Sequence, residues 1–234
     1  MIVKNNNIIP PNIAKEQFPD VPLDKTTKDI LAFIITCLKV YQAKYLNQGK
    51  IDETIQNGNL LTIMEKKSKD KFYHCRNEYA GAKTKGMETK IDIGIIEITA
   101  NYDATLIFSI ECKRLRHTLN TKGKLRPDKS RQYVIVKEQK TGGIQRFKEE
   151  SHAPMVSQSA IVGYMEDESF DFWFQKVNEW IDNEAKSDKF GFWNMNDKIT
   201  STEIGVEICQ YQSTHNRRTQ PDISLYHFWV KMFS

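Results

Sequence analysis

Lys90–Ile96, KIDIGII, and Ile107–Leu115, IFSIECKRL, are apolar runs that each carry charge in their middle. Both are rich in β-branched residues, and ANYDA (residues 100–104) between them reads as a turn, so the pair predicts an antiparallel hairpin buried on both faces. Side chains alternate across a strand, which puts Glu111 and Lys113 on one face and Cys112 on the other. Asp92, on the partner strand, comes close to Glu111. The pattern therefore gathers two carboxylates and one ammonium near the ends of buried strands.

Two carboxylates that close repel unless a cation joins them. Lys113 brings one positive charge, and a hard divalent cation brings two. Mg²⁺ takes oxygen ligands and keeps several waters. Asp92, Glu111 and the backbone carbonyl of Cys112 would hold it with positions left for water and a phosphate oxygen. The cation would then activate the water, and Lys113 would hold that water or the developing charge. The competing reading is a structural ion-pair cluster, or three exposed groups on a half-wet sheet. E-x-K alone is common, but burying charge without a role is costly.

An acid on one strand followed by E-x-K on the next, with a helix before and a helix and strand after, resembles the PD-(D/E)xK nuclease superfamily. The resemblance covers roughly residues 72–165 and matches Asp92, Glu111 and Lys113 to the motif. Ile91 stands where the family has proline. It implies an α/β protein: a three-layer α/β/α restriction-endonuclease-like core with a central mixed sheet, plus N-terminal helices and a C-terminal helix-strand extension. It also implies Mg²⁺, with Mn²⁺ able to substitute, and hydrolysis of phosphodiester bonds in DNA. Many members add an acid from the first helix, which would be Glu78. Many place polar residues on the helix after E-x-K, which would be Gln145 and Arg146, with Gly142 and Gly143 letting a phosphate approach. The implied setting is restriction or anti-phage defence, with a homodimer or a defence-system protein as partner. The alternatives are a nucleic-acid-binding subunit or regulator of this fold that does not cut alone, and a nuclease acting on RNA.

The rest of the chain fits around this centre. Its 234 residues, 39% of them apolar, suit a single domain at 26–234, with the nuclease-like core at about 72–165. Four of the seven prolines fall at positions 10, 11, 19 and 22, so residues 1–25 read as an extended arm. TTKDILAFIITCLKVYQAKYLNQ predicts a helix capped by Thr26 or Thr27, a weaker helix spans 51–67, and KFYHCRNEYAG (residues 71–81) reads as a helix end or a turn into the sheet. SQSAIVGYM predicts a strand, ESFDFWFQKVNEWIDNEAK an amphipathic helix, and EIGVEICQYQ and ISLYHFWVKM two closing strands. Phe170, Trp173 and Trp180 share the helix's core stripe.

The formal charge is only +4, yet residues 113–131 are strongly basic, with Asp128 the single acid. This is read as an exposed loop whose Arg114, Arg116, Lys122 and Lys124 neutralise phosphates. The four cysteines form no CxxC pair, which argues against a zinc knuckle and fits reduced thiols. No signal peptide or membrane-length apolar run is visible, so a soluble cytoplasmic protein is expected. His215 and Arg217 are read as part of a polar connection or as phosphate contacts. His74, His117 and His152 show no metal-ligand spacing.

Overall fold

The computed structural model describes residues 24–48, 51–84, 87–98, 104–119, 125–126, 128–136 and 142–234. Two helices open it, α1 (Lys25–Tyr45) and α2 (Glu53–Lys67). Three long strands follow: β1 (Tyr73–Thr84), β2 (Met87–Ile98) and β3 (Ala104–Leu115). A short ribbon, β4 (Thr118–Leu119) with β5 (Leu125–Arg126), leads through a 3-10 turn at Asp128–Tyr133 into α3 (Gly143–Lys148). The chain ends with β6 (Gln158–Met165), α4 (Phe170–Ser187), β7 (Thr200–Ile204), β8 (Ile208–His215) and β9 (Ile223–Lys231).

Seven strands form one mixed sheet in the order β1-β2-β3-β6-β9-β8-β7. β3, β6 and β9 run parallel at its centre, and the outer pairs are antiparallel. Alternation sorts the central strands onto two faces. Ile110, Cys112, Ala160, Val162, Tyr164 and Phe228 pack with α1 and α2, whereas Leu115, Ile161, Met165, Leu225 and Trp229 pack with α3 and α4. This is a mixed α/β architecture with a helical layer on each face. No helix among the described residues is long and apolar enough to cross a membrane.

The β2–β3 hairpin, the E-x-K strand, the β6 strand and the amphipathic helix form as the sequence predicts. Trp173 and Trp180 are buried on the core side of α4. Three local expectations need correction. The segment around residues 73–84 is strand β1, because its Ile-rich partner β2 supplies a full antiparallel ladder. The α1 cap is Asp24, whose carboxylate accepts the Thr27 N–H at 2.7 Å, and not Thr26 or Thr27. The stretch EIGVEICQYQ is two elements: β7 ends at Ile204 and β8 starts at Ile208. Of the expected arm, residues 1–23 lie outside the described residues while Lys25 already begins α1; residues 100–103 of the expected turn and the basic Lys122 and Lys124 also lie outside them, and Ala104 begins β3.

Gly163 of β6 is a close approach. A Cβ there would sit 2.6 Å from Trp229 Cδ1 and 3.0 Å from Leu115 Cδ1. The indole cannot swing away cheaply, because its Nε1–H donates to the Tyr133 hydroxyl at 2.9 Å. Gly163→Ala should therefore overpack the core and cost about 1–3 kcal/mol. Urea unfolding should show a lower midpoint at unchanged slope, and an unchanged midpoint would refute this.

Candidate active site

The β2–β3 ladder ends at Ile93↔Ile110, and upstream of Ile93 the described pairing of β2 is to β1. From Cys112 on, the edge of β3 that faced β2 therefore needs other acceptors, since buried N–H groups are rarely left unpaired. Side chains supply them. Asp92 Oδ2 accepts the Cys112 N–H at 2.8 Å, Glu53 Oε2 accepts the Arg114 N–H at 3.1 Å, and Ser130 Oγ accepts the Arg116 N–H at 2.9 Å. A residue's N–H and C=O leave a strand on the same edge, so the Cys112 carbonyl points to the side where Asp92 sits.

Glu111 and Lys113 lie on the α3 face of β3, and both are buried. Lys113 Nζ stands 2.6 Å from Glu111 Oε1 and 3.6 Å from Glu53 Oε1. Arg146 of α3 reaches the same Glu111 oxygen at 2.7 Å. Glu111 Oε2, by contrast, is a buried acceptor without a hydrogen bond. The structure thus joins Asp92, Glu111, Lys113 and Arg146, and it adds Glu53, which sequence reasoning missed. An acid in the first turn of a helix reads as an ordinary dipole partner, so nothing local distinguished it.

The two strand carboxylates are pushed in opposite directions. Burial, and then the neighbouring Glu111 charge, raise the Asp92 acid to about 7 against the pull of Lys113 and the Cys112 N–H. Burial alone would raise Glu111 too, but Lys113, His152 and Arg146 together hold it well below the usual carboxylate range. Lys113 is held above its ordinary range, because Glu111, Glu53 and Asp92 outweigh its own burial. The negative charge at Asp92 is therefore under-compensated by protein groups.

The donor set suits a hard divalent cation: the Asp92 carboxylate, Glu111 Oε2 beside His152, the Cys112 carbonyl edge, and Glu53 nearby. Among the described residues no group of three or more His, Cys, Asp or Glu side chains converges on one point. A cation here would lean on backbone and water as well.

Other expected contacts are placed differently. Glu78 lies on β1 and not on a helix, and its side chain is outside the described residues. Arg114 is buried, with its guanidinium on Glu166, so it holds the end of β6 and is not offered to phosphate. Arg116 is half-buried and lines a cleft of about 430 Å³ with Asp52, Glu53, Ser130 and Gln132. Gln145 is buried, accepting from the Val136 N–H and donating to Glu149, so it fastens the loop before α3. Gly142 and Gly143 serve close packing: a Cβ at Gly142 would lie 2.3 Å from Ile135 Cα, and one at Gly143 2.7 Å from the Tyr133 carbonyl oxygen. His215 is fully buried between Asp197 and Ser213, and Arg217 donates to the carbonyls of Pro154, Val156 and Pro221. Both are structural.

Asp92 binds its proton more tightly folded than unfolded. It therefore contributes stability below about pH 4, its unfolded value, and that contribution is lost as pH rises through about 7. Asp92→Asn removes this loss. Relative to the wild type, the variant should gain up to a few kcal/mol on going from pH 5 to pH 8. Urea unfolding of both proteins at the two pH values measures it, and a pH-independent difference would sink the assignment. No family model, no curated protein and no solved structure matches the chain, so the site is read from its own geometry.

Proposed function

We propose that the protein is a Mg²⁺-dependent nuclease of PD-(D/E)xK type, with a restriction-endonuclease-like core, that hydrolyses phosphodiester bonds in DNA. One observation carries this reading: Asp92 closes on the Cys112 N–H where β2 leaves β3, beside Glu111 and Lys113 of the same strand. A structural ion-pair cluster does not require a carboxylate held at an opened strand edge.

Asp92, Glu111 Oε2 and the Cys112 carbonyl would hold the cation, with Glu53 within reach of the same space. Bound there, a divalent cation neutralises phosphate charge and lowers the pKa of a coordinated water. Lys113 would orient that water or hold the negative charge that develops on the phosphoryl oxygens. Arg146 keeps Glu111 ionised while Lys113 is engaged. Arg116, in the cleft beside Glu53, is the described member of the basic run best placed to meet a phosphate backbone.

A second reading draws on the same pairing. Lys113 and Arg146 more than balance Glu111 without a metal ion, which suits a nucleic-acid-binding subunit that does not cut alone.

With Mg²⁺, the purified protein should cut plasmid DNA, and EDTA should abolish cutting. Lys113→Ala and Asp92→Ala should each lose about 100-fold or more in rate while still unfolding cooperatively and binding DNA. Cutting that survives EDTA, or full activity in either variant, overturns the proposal. DNA binding that weakens steeply with salt, without any cutting of DNA or RNA, favours the second reading.

A further inference from the structure

Glu111 meets nitrogen groups on both oxygens, and they are not alike. Oε1 takes Lys113 at 2.6 Å and Arg146 at 2.7 Å. A carboxylate oxygen has two lone pairs, so Oε1 is fully used. Oε2 has no hydrogen bond of good geometry, and the ring nitrogen beside it is His152 Nδ1, 3.2 Å away.

His152 is itself unusual. It is 1% exposed, yet neither ring nitrogen has a hydrogen-bond partner. A position that only needed filling would be cheaper with an apolar ring, because buried polar atoms without partners are penalised. The Nδ1–Oε2 separation is already within hydrogen-bond range. Phe147 stands edge-on to the imidazole at 6.0 Å and 89°, which limits how it can turn.

The backbone delivers this ring deliberately. After α3 the chain reverses through Glu150 (φ 60°) and Ala153 (φ 45°), both in the left-handed region that non-glycine residues seldom adopt. The N–H groups of Ser151 and His152 both donate to the Arg146 carbonyl, at 3.0 and 3.2 Å. One short unit therefore brings Arg146 to Oε1 and His152 to Oε2.

We propose that His152 is a positioning residue: it fixes the one Glu111 oxygen left for a divalent cation and so sets how tightly the cation binds. The proposal rests on the nuclease reading above. Groups that orient a metal ligand in this way are worth about 10–100-fold in metal affinity.

The test is Mn²⁺ binding, followed by the EPR signal of the free ion, in the wild type, His152→Ala and His152→Asn. The Asn amide nitrogen can stand where Nδ1 stands, while filling less space than the ring. His152→Ala should weaken Mn²⁺ binding by about 10–100-fold and raise the Mg²⁺ needed for half-maximal cutting, with KM for DNA unchanged. His152→Asn should recover most of both. Wild-type affinity in His152→Ala, or a folded His152→Asn no better than His152→Ala, overturns the role of His152 alone. A wild type that binds no Mn²⁺ and cuts nothing overturns the nuclease reading and this inference with it.

Discussion

Three alternate N–H groups along one edge of β3 and the residue just past its end, those of Cys112, Arg114 and Arg116, are bound by side chains and not by a neighbouring strand. That substitution lets the sheet open without orphaned donors. It also dictates which residues gather there. Asp92 and Glu53 come to the opening because the backbone needs acceptors, and their charge is concentrated where β3 and β6 end side by side. The ends of parallel strands are where α/β sheets commonly form binding crevices. Here the crevice begins as a hydrogen-bonding problem of the backbone.

The charge arrangement follows from the opening. Each buried ion requires a partner, and removing one member of such a set leaves the other uncompensated at a cost of about 3–5 kcal/mol. Glu111 is over-supplied, Arg114 is matched by Glu166, and Asp92 is under-supplied. Environments that push two carboxylates apart give them different tasks. Glu111 stays ionised across the physiological range, while burial and the neighbouring Glu111 charge raise Asp92 to about 7. Of the site's carboxylates, Asp92 is the one whose state a bound divalent cation would change most.

Period-two patterning exposed β2, β3 and β6, and it placed Glu111 and Lys113 together with Cys112 opposite. Those are local consequences of strand geometry, so they were legible. What escaped depended on partners far away in the chain. Glu53 reaches the site because α2 packs beside β3, a contact spanning 61 residues in the Arg114 N–H bond. Strand β1 reads poorly because its polar residues find their ladder only on β2. Arg114 looked like a free cation within a basic run, yet a carboxylate 52 residues on claims it. His152 was passed over because spacing along the chain cannot reveal that a turn folds it back onto Glu111.

A second buried polar system steadies α3 from its far side. Trp229 Nε1 can only donate, and it donates to the Tyr133 hydroxyl; that hydroxyl must then give its proton to His227 Nδ1, 2.7 Å away. His227 donates from Nε2 to Ser213 Oγ, and Ser213 donates to His215 Nε2. His215 Nδ1–H ends on Asp197 at 2.8 Å. Starting from the Asp197 end gives the same two tautomers, so every donor in the chain finds one acceptor. Burial holds both histidines below their ordinary range, which keeps them neutral as this pattern requires. Asp197, His215 and Ser213 have the membership of a hydrolytic triad, but all three are buried and Ser213 Oγ already accepts from His227, so the serine is a link and not a nucleophile. The chain ends at Lys148, which pairs with Asp197 at 2.7 Å and lies two residues beyond Arg146. The network therefore ties the α3 helix to β8 and β9, and it fixes the element from which Arg146 reaches Glu111.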